Sequence, residues 1–132
     1  MSTRDNVAIV LEAFRAVERR DRRRLQELYH PEVEFHWPPS LLTALGEGMV
    51  EAWDALQPTA AERQMEPRVV AASDAEVVVL WRWKAVSPTG QRFDSPVLGL
   101  YRVRDGKFAR AQMFFFDTTA VASFLAEATR PQ

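Results

Sequence analysis

The stretch that most constrains this chain is Ser87 to Asp117, SPTGQRFDSPVLGLYRVRDGKFARAQMFFFD. Two turn signals, Pro88-Thr89-Gly90 and Asp105-Gly106, are flanked by β-branched and aromatic runs long enough for full strands. Strand side chains alternate with period 2, so these turns also decide which residues share a face of the sheet. The stretch ends on an acid: Asp117-Thr118-Thr119 can cap a last helix that buries Val121, Phe124 and Leu125.

Upstream, Val7, Val10, Leu11, Phe14 and Val17 recur at helical spacing behind Ser2 and Thr3, which predicts an amphipathic helix over residues 3 to 19. Asp21 opens a second helix that turns Leu25 and Leu28 inward and ends before Pro31. Residues 33 to 37 alternate as a short strand closed by Pro38-Pro39. Met49, Val50, Trp53 and Leu56 suggest a third helix closed by Pro58. Strands follow at residues 68 to 72, 76 to 86, 93 to 104 and 107 to 116. Helices first and strands afterwards predict one α+β domain spanning residues 1 to 132, with helices on one face of a curved antiparallel sheet and a C-terminal helix.

With Asp105-Gly106 at the centre of a two-residue turn, Arg104 pairs with Lys107, Tyr101 with Arg110 and Gly99 with Gln112. A two- or four-residue loop around Pro88 to Gly90 adds Leu80, Arg82 and Lys84 to that face. Val97 and Phe114 belong there too, giving a mixed face that reads as a cavity lining. The other face holds Trp81, Trp83, Leu98 and Met113, and its apolar character predicts a homodimer packed sheet to sheet. The alternative reverses the two, with Trp81 and Trp83 as core beneath the helices and Arg82 in solvent.

The chain has 132 residues, no cysteine, and 17 basic against 18 acidic side chains, for a net charge of -1. Thiol chemistry and Cys-based metal sites are excluded, and nucleic-acid binding by bulk electrostatics is disfavoured. No stretch has the length and apolarity of a membrane span, and the N-terminus lacks a signal-peptide layout, so a cytoplasmic location is expected. The basic run Arg19 to Arg24, interrupted by Asp21, reads as a solvated helix junction, with phosphate binding as the minority alternative. Two histidines, His30 and His36, are too few for a metal site, and no cofactor-binding loop is present.

This order of helices and strands resembles the SnoaL-like, nuclear transport factor 2-like superfamily of cone-shaped domains with a cavity between helices and sheet. Pro88-Thr89-Gly90 through Val97-Leu98-Gly99-Leu100-Tyr101, with Phe116-Asp117, looks most like the limonene-epoxide hydrolases. Their catalytic set does not carry over. Counting without gaps puts Leu80 and Arg82 where those enzymes carry Arg and Asp, and Glu34 and His36 where they carry Tyr and Asn. In the ketosteroid isomerase pattern, the base, the tyrosine donor and the second acid fall at Trp37, Ala13 and Gly99.

The resemblance implies acid/base chemistry on a small apolar oxygenated molecule, without a cofactor: isomerisation, cyclisation or epoxide opening. Asp117 is the candidate acid/base, Arg82 its partner and an anion clamp, and His36 a proton shuttle if its strand faces inward. A single-residue bulge between Phe108 and Phe116 would carry Asp117 into the cavity; otherwise Asp117 is a helix cap. Tyr101, Gln112, Phe114, Trp37, Trp53 and Tyr29 are the candidate substrate contacts. The competing expectation is a noncatalytic ligand-binding or dimerisation module on the same fold.

Overall fold

The computed structural model describes residues 2–39, 56 and 59–128. Helix α1 (Thr3–Arg19) begins where the sequence predicts. The Ser2 hydroxyl accepts the Asp5 N–H at 3.1 Å, and the Asp5 carboxylate accepts the Ser2 N–H at 3.3 Å, a reciprocal cap for two otherwise orphaned donors. The buried Asn6 amide donates to the Asp74 carbonyl at 2.6 Å, tying the first turn of α1 to a turn of the sheet. At its far end α1 stops on Arg20, which is left-handed at φ 57°. Asp21 then caps α2 (Arg22–Leu28) through the Arg24 N–H at 3.0 Å.

Strand β1 (Tyr29–His36) follows α2 directly, four residues ahead of the expected Val33. Pro31 therefore lies within a strand rather than behind a helix. It is tolerated there because β1 is an edge strand, bonded on one side only. A short 3-10 turn (Ala61–Arg63) precedes β2 (Arg68–Ala72), β3 (Glu76–Val86), β4 (Arg92–Arg104) and β5 (Lys107–Phe115), and α3 (Thr118–Ala128) closes the described chain. The sheet order is β1-β5-β4-β3-β2. It is mixed rather than purely antiparallel, since β1 runs parallel to β5; the long crossover between β1 and β2 permits that direction. The predicted third helix falls outside the described residues apart from Leu56, whose carbonyl accepts the Val86 N–H at 2.6 Å.

Two single-residue counts decide the faces of this sheet. Ser87 donates to the Gln91 carbonyl at 2.8 Å and Gly90 to the Ser87 carbonyl at 2.9 Å. The β3–β4 loop is thus the three residues Pro88 to Gly90, with Gly90 at φ 89° supplying the left-handed position. An odd loop reverses the parity expected for two or four residues. Trp81 pairs with Val97, and Val77 with Tyr101. In the second hairpin Arg104 pairs with Lys107 as predicted, but Val103 opposes Phe108 while Arg102 opposes Arg110. Ala109 is the extra residue of a β-bulge, and beyond it Tyr101 meets Ala111, not Arg110.

The face assignment is therefore corrected. Trp81, Trp83, Val97, Tyr101, Ala111, Met113 and Phe115 are buried on the helix-covered face. Leu80, Arg82, Lys84, Leu98, Gln112 and Phe114 occupy the opposite face. The four residues expected to form a dimer surface do not share one: Trp81, Trp83 and Met113 are core, and Leu98 alone is exposed. At one end of the inner face, Trp83 is fully buried between Phe93 and Phe124, with ring centroids at 5.3 and 5.9 Å, and Val121 and Leu125 of α3 complete the layer. Such aromatic contacts add about 0.5–1.5 kcal/mol each to the area they bury.

Candidate functional site

At the other end the same face is hollow. A cavity of about 600 Å³ lies between α1, α2 and the sheet, in the size range of small-molecule sites. Ala13, Phe14 and Val17 of α1 and Leu25 of α2 form its roof. Trp81, Tyr101, Phe108, Ala111 and Met113 form the sheet wall, with Tyr29, Phe35 and Trp37 on β1 and just beyond it. These positions follow from local pattern: the buried stripe of α1 projects Phe14 onto the sheet, and the bulge at Ala109 turns Ala111 and Met113 inward. Phe14 meets Trp81 at 5.8 Å and Tyr101 at 5.6 Å, both edge to face. Tyr101 continues to Phe108, and Phe108 to Tyr29, each at 5.5 Å, so the wall is a connected aromatic surface.

The hydrogen-bonding chemistry of this wall is phenolic. The chain has two tyrosines, and both line the cavity. Burial pushes the Tyr29 phenol up to about 12. Burial raises Tyr101 further, against the neighbouring Trp81 indole N–H, which favours the phenolate and offsets only part of the rise. Both groups therefore stay protonated near neutral pH, each keeping its O–H. Tyr101 leans along β4 over Gly99, where any Cβ would overlap its ring and hydroxyl. Gly99 is thus the position that lets this phenol lie flat against the strand.

Arg20 and Arg22 reach the cavity from the α1–α2 junction. Arg19 and Arg24 of the same run pair with acids. Arg19 and Arg24 each meet Glu12 at 3.3 Å, and Arg24 meets Glu27 at 3.0 Å. The Glu12 carboxyl is held below its usual range by the hydrogen bond from Arg15 first, then those from Arg19 and Arg24.

The structure places the expected site residues as follows. Tyr101, Tyr29 and Trp37 line the cavity; Trp53 lies outside the described residues. Gln112 and Phe114 point to the opposite face. Arg82 does too, where its Nε meets Asp94 at 2.7 Å and not Asp117. His36 pairs in register with Gln112 and lies 3.7 Å from Glu34, while its neighbours Phe35 and Trp37 take the cavity side. The bulge exists, but β5 ends at Phe115 and leaves Asp117 exposed beyond it, its carboxylate accepting the Ala120 N–H at 2.9 Å as the cap of α3. Asp117, Arg82 and His36 are therefore not brought together in the cavity. His30 lies in β1 rather than at a helix end, and its Nδ1 accepts the Glu32 N–H at 3.0 Å.

Sequence reasoning missed Phe14, Trp81, Arg20 and Arg22 as lining. For Arg20 the available signal was a long cation at the end of a helix whose apolar stripe faces the sheet. Among the described residues no cluster of three metal-ligating side chains occurs, and no helix is long and apolar enough to cross a membrane.

Known folds match this arrangement closely. A structure of TerC co-crystallized with polyporic acid superposes with a TM-score of 0.76 at 21% identity, covering 92% of this chain and 98% of that one. A nuclear transport factor 2-like protein of unknown function from Burkholderia pseudomallei gives 0.71 at 19% identity, covering 95% and 98%. A putative SnoaL-like polyketide cyclase from Jannaschia gives 0.65 at 21%, covering 98% and 95%. At these identities the likeness establishes the cone fold. No curated protein matches the sequence. The model of the SnoaL-like domain matches residues 10–111, most of the chain and nearly all of the cavity wall, and the chain belongs to that family.

Proposed function

We propose that the cavity binds a small, flat, oxygen-bearing apolar molecule and that Tyr101, with Tyr29, acts on its oxygen as a neutral hydrogen-bond donor. The observation that carries this reading is the placement of both tyrosines, protonated by burial, in an otherwise aromatic and aliphatic wall. A donor in a water-poor pocket gains strength as negative charge grows on its acceptor. The chemistry that suits it is isomerisation or cyclisation of an already enolised substrate, whose enolate oxygen the phenols would hold while the proton passes between substrate and solvent water. Epoxide opening needs an acid and a base, and no carboxylate or imidazole belongs to the described lining. That same feature favours the second reading, in which the domain binds its ligand without converting it. Relatives of the same fold include a protein co-crystallized with polyporic acid and a putative polyketide cyclase, consistent with aromatic oxygenated ligands.

The test compares 2-acetylnaphthalene with 2-ethylnaphthalene by quenching of tryptophan fluorescence. The ketone should bind roughly 5- to 10-fold more tightly, the worth of one net hydrogen bond. Tyr101→Phe should erase most of that preference while leaving the hydrocarbon unaffected. If neither compound binds, or if the preference survives removal of both phenols, the reading is wrong.

A further inference from the structure

On the sheet face turned away from the helices lies a pattern that goes beyond the ligand reading and is independent of it. Leu80, Leu98 and Phe114 stand side by side across β3, β4 and β5, and Val78 and Leu100 form the next row. Leu98 is 40% exposed and Phe114 49%, which leaves two large apolar side chains open in adjacent positions. Charges flank this apolar band along the strands. On β3, Glu76 comes four residues before Leu80 and Lys84 four residues after it; on β4, Asp94 comes four before Leu98 and Arg102 four after. Residues four apart on a regular strand point the same way, so all of these share the face. The two strands are antiparallel, which sets Glu76 beside Arg102 at one end and Lys84 beside Asp94 at the other. Each of the four charges has an ion partner in its own chain: Arg102 and Glu76 at 3.8 Å, Asp94 and Arg82 at 2.7 Å, Lys84 and Glu66 at 2.7 Å. Exposed pairs of this kind add little to stability, but they hold the four signs in place.

We infer that this face takes a second copy of the chain, packed sheet to sheet about a two-fold axis that crosses the strands at the Leu80, Leu98 and Phe114 row. Such an axis lays β3 over β3 and β4 over β4 in opposite directions, so a residue four places before the row meets the residue four places after it. Arg102 then faces Asp94 of the partner subunit, and Lys84 faces Glu76 of the partner subunit, each contact made twice. All four charges meet the opposite sign, and the apolar row meets itself. Packed sheets cross at about 30°, which offsets the ends by about 7 Å, a distance that arginine and lysine side chains span. The face runs about 30 Å along the strand from Asp94 to Arg102 and about 24 Å across the sheet, roughly 700 Å² a side. Each partner of a stable complex buries about 600–1,000 Å². A membrane or a nucleic acid presents one sign and would oppose the acid at each end; a copy of this chain does not.

Sedimentation velocity at about 100 μM tests this, and the wild-type protein should be a dimer there. Leu98→Glu changes a side chain already exposed in the single chain, so the fold should survive. It should weaken association at least about 30-fold, since a two-fold interface feels the change twice. Arg102→Glu and Asp94→Arg each bring like charges into contact across the axis, and each variant should be monomeric. Mixed in equal amounts, the two should recombine into a dimer. In the mixed pair the new acid of one chain meets the new cation of the other, and the native Asp94 meets the native Arg102. A wild-type monomer, with or without affinity for phosphatidylglycerol vesicles, would overturn the inference. So would an undiminished dimer in Leu98→Glu, or single charge variants that dimerise as well as the wild type or stay apart when mixed. None of these side chains lines the cavity, so each such failure leaves the pocket reading standing.

Discussion

Trp81 and Trp83 are two residues apart on β3, point to the same side of the sheet and are both buried, yet they stand in different surroundings. Trp83 lies beneath α3, with Phe124 and Phe93 filling the space around it. Trp81 lies beneath α1, touches Phe14 along one edge and lines the cavity with the rest of its ring. The difference comes from the covering helices, not from the strand. Helix α3 delivers Val121, Phe124 and Leu125 onto the sheet. Over the cavity α1 places the small side chains Ala13 and Val17 beside Phe14. One inner face thus provides a packed core at one end and a binding space at the other.

The strongest way to break this comparison is truncation. Trp83→Ala should cost about 3–5 kcal/mol in urea unfolding, since it empties a site closed on all sides. Trp81→Ala should cost at least about 1 kcal/mol less, because part of that ring already faces empty volume, but it should lower ligand affinity far more than Trp83→Ala does. Equal stability losses would show the two ends to be packed alike.

Next in size is Gly99→Val. Its Cβ would occupy the space of the Tyr101 phenol, so a loss of about 1–3 kcal/mol is expected, together with loss of the ketone preference. Intact preference in that variant would mean that Tyr101 donates from another rotamer.

Asp117→Ala should cost about 1 kcal/mol of thermal stability, while Asp117→Asn, an equally good cap, should change little. Unchanged ligand affinity in both variants would separate the capped helix from the binding space. If Asp117→Asn weakened binding, that separation would be lost.

The smallest effect is confined to alkaline pH. A phenol raised from 10.0 to about 12 favours the folded state in full below pH 10, and that contribution fades as pH climbs through about 12. Tyrosinate absorbance should therefore stay near zero at pH 10 and rise only with unfolding or above about pH 12. Ionisation of a full tyrosine equivalent near pH 10 would show the pocket to be wet.

Much of this fold was legible in the sequence. The capped first helix, the four strands from residue 68 onward, the Asp105-Gly106 turn and the capping by Asp117 all follow from local chemistry: side-chain caps, β-branched runs and left-handed turn positions. What was not legible was parity. Pro88-Thr89-Gly90 announces a turn but not whether Ser87 and Gln91 pair across it, and that one hydrogen-bonded pair moves Trp81 inward and Arg82 outward. Likewise the run Phe108-Ala109-Arg110 carries no signal that Ala109 is unpaired. Anticipating a bulge was sound, but the strand stops at Phe115, two residues short of the acid it was expected to deliver. The aromatic wall was half visible: Tyr101, Tyr29 and Trp37 were named, while Phe14 was read only as core because a helical stripe looks the same above a cavity and above a packed layer.

The Ala109 bulge and the three-residue loop make strands β3 to β5 behave like a reading frame. A substitution rewrites one letter of the inner surface. Loss or gain of one residue at either place rewrites all the letters beyond it, exchanging Trp81 and Trp83 for Arg82 and Lys84, or Ala111 and Met113 for Gln112 and Phe114. The pocket can therefore drift in specificity by point changes while its frame resists change in length. Designed insertions belong outside the Pro88–Gly90 turn and the start of β5.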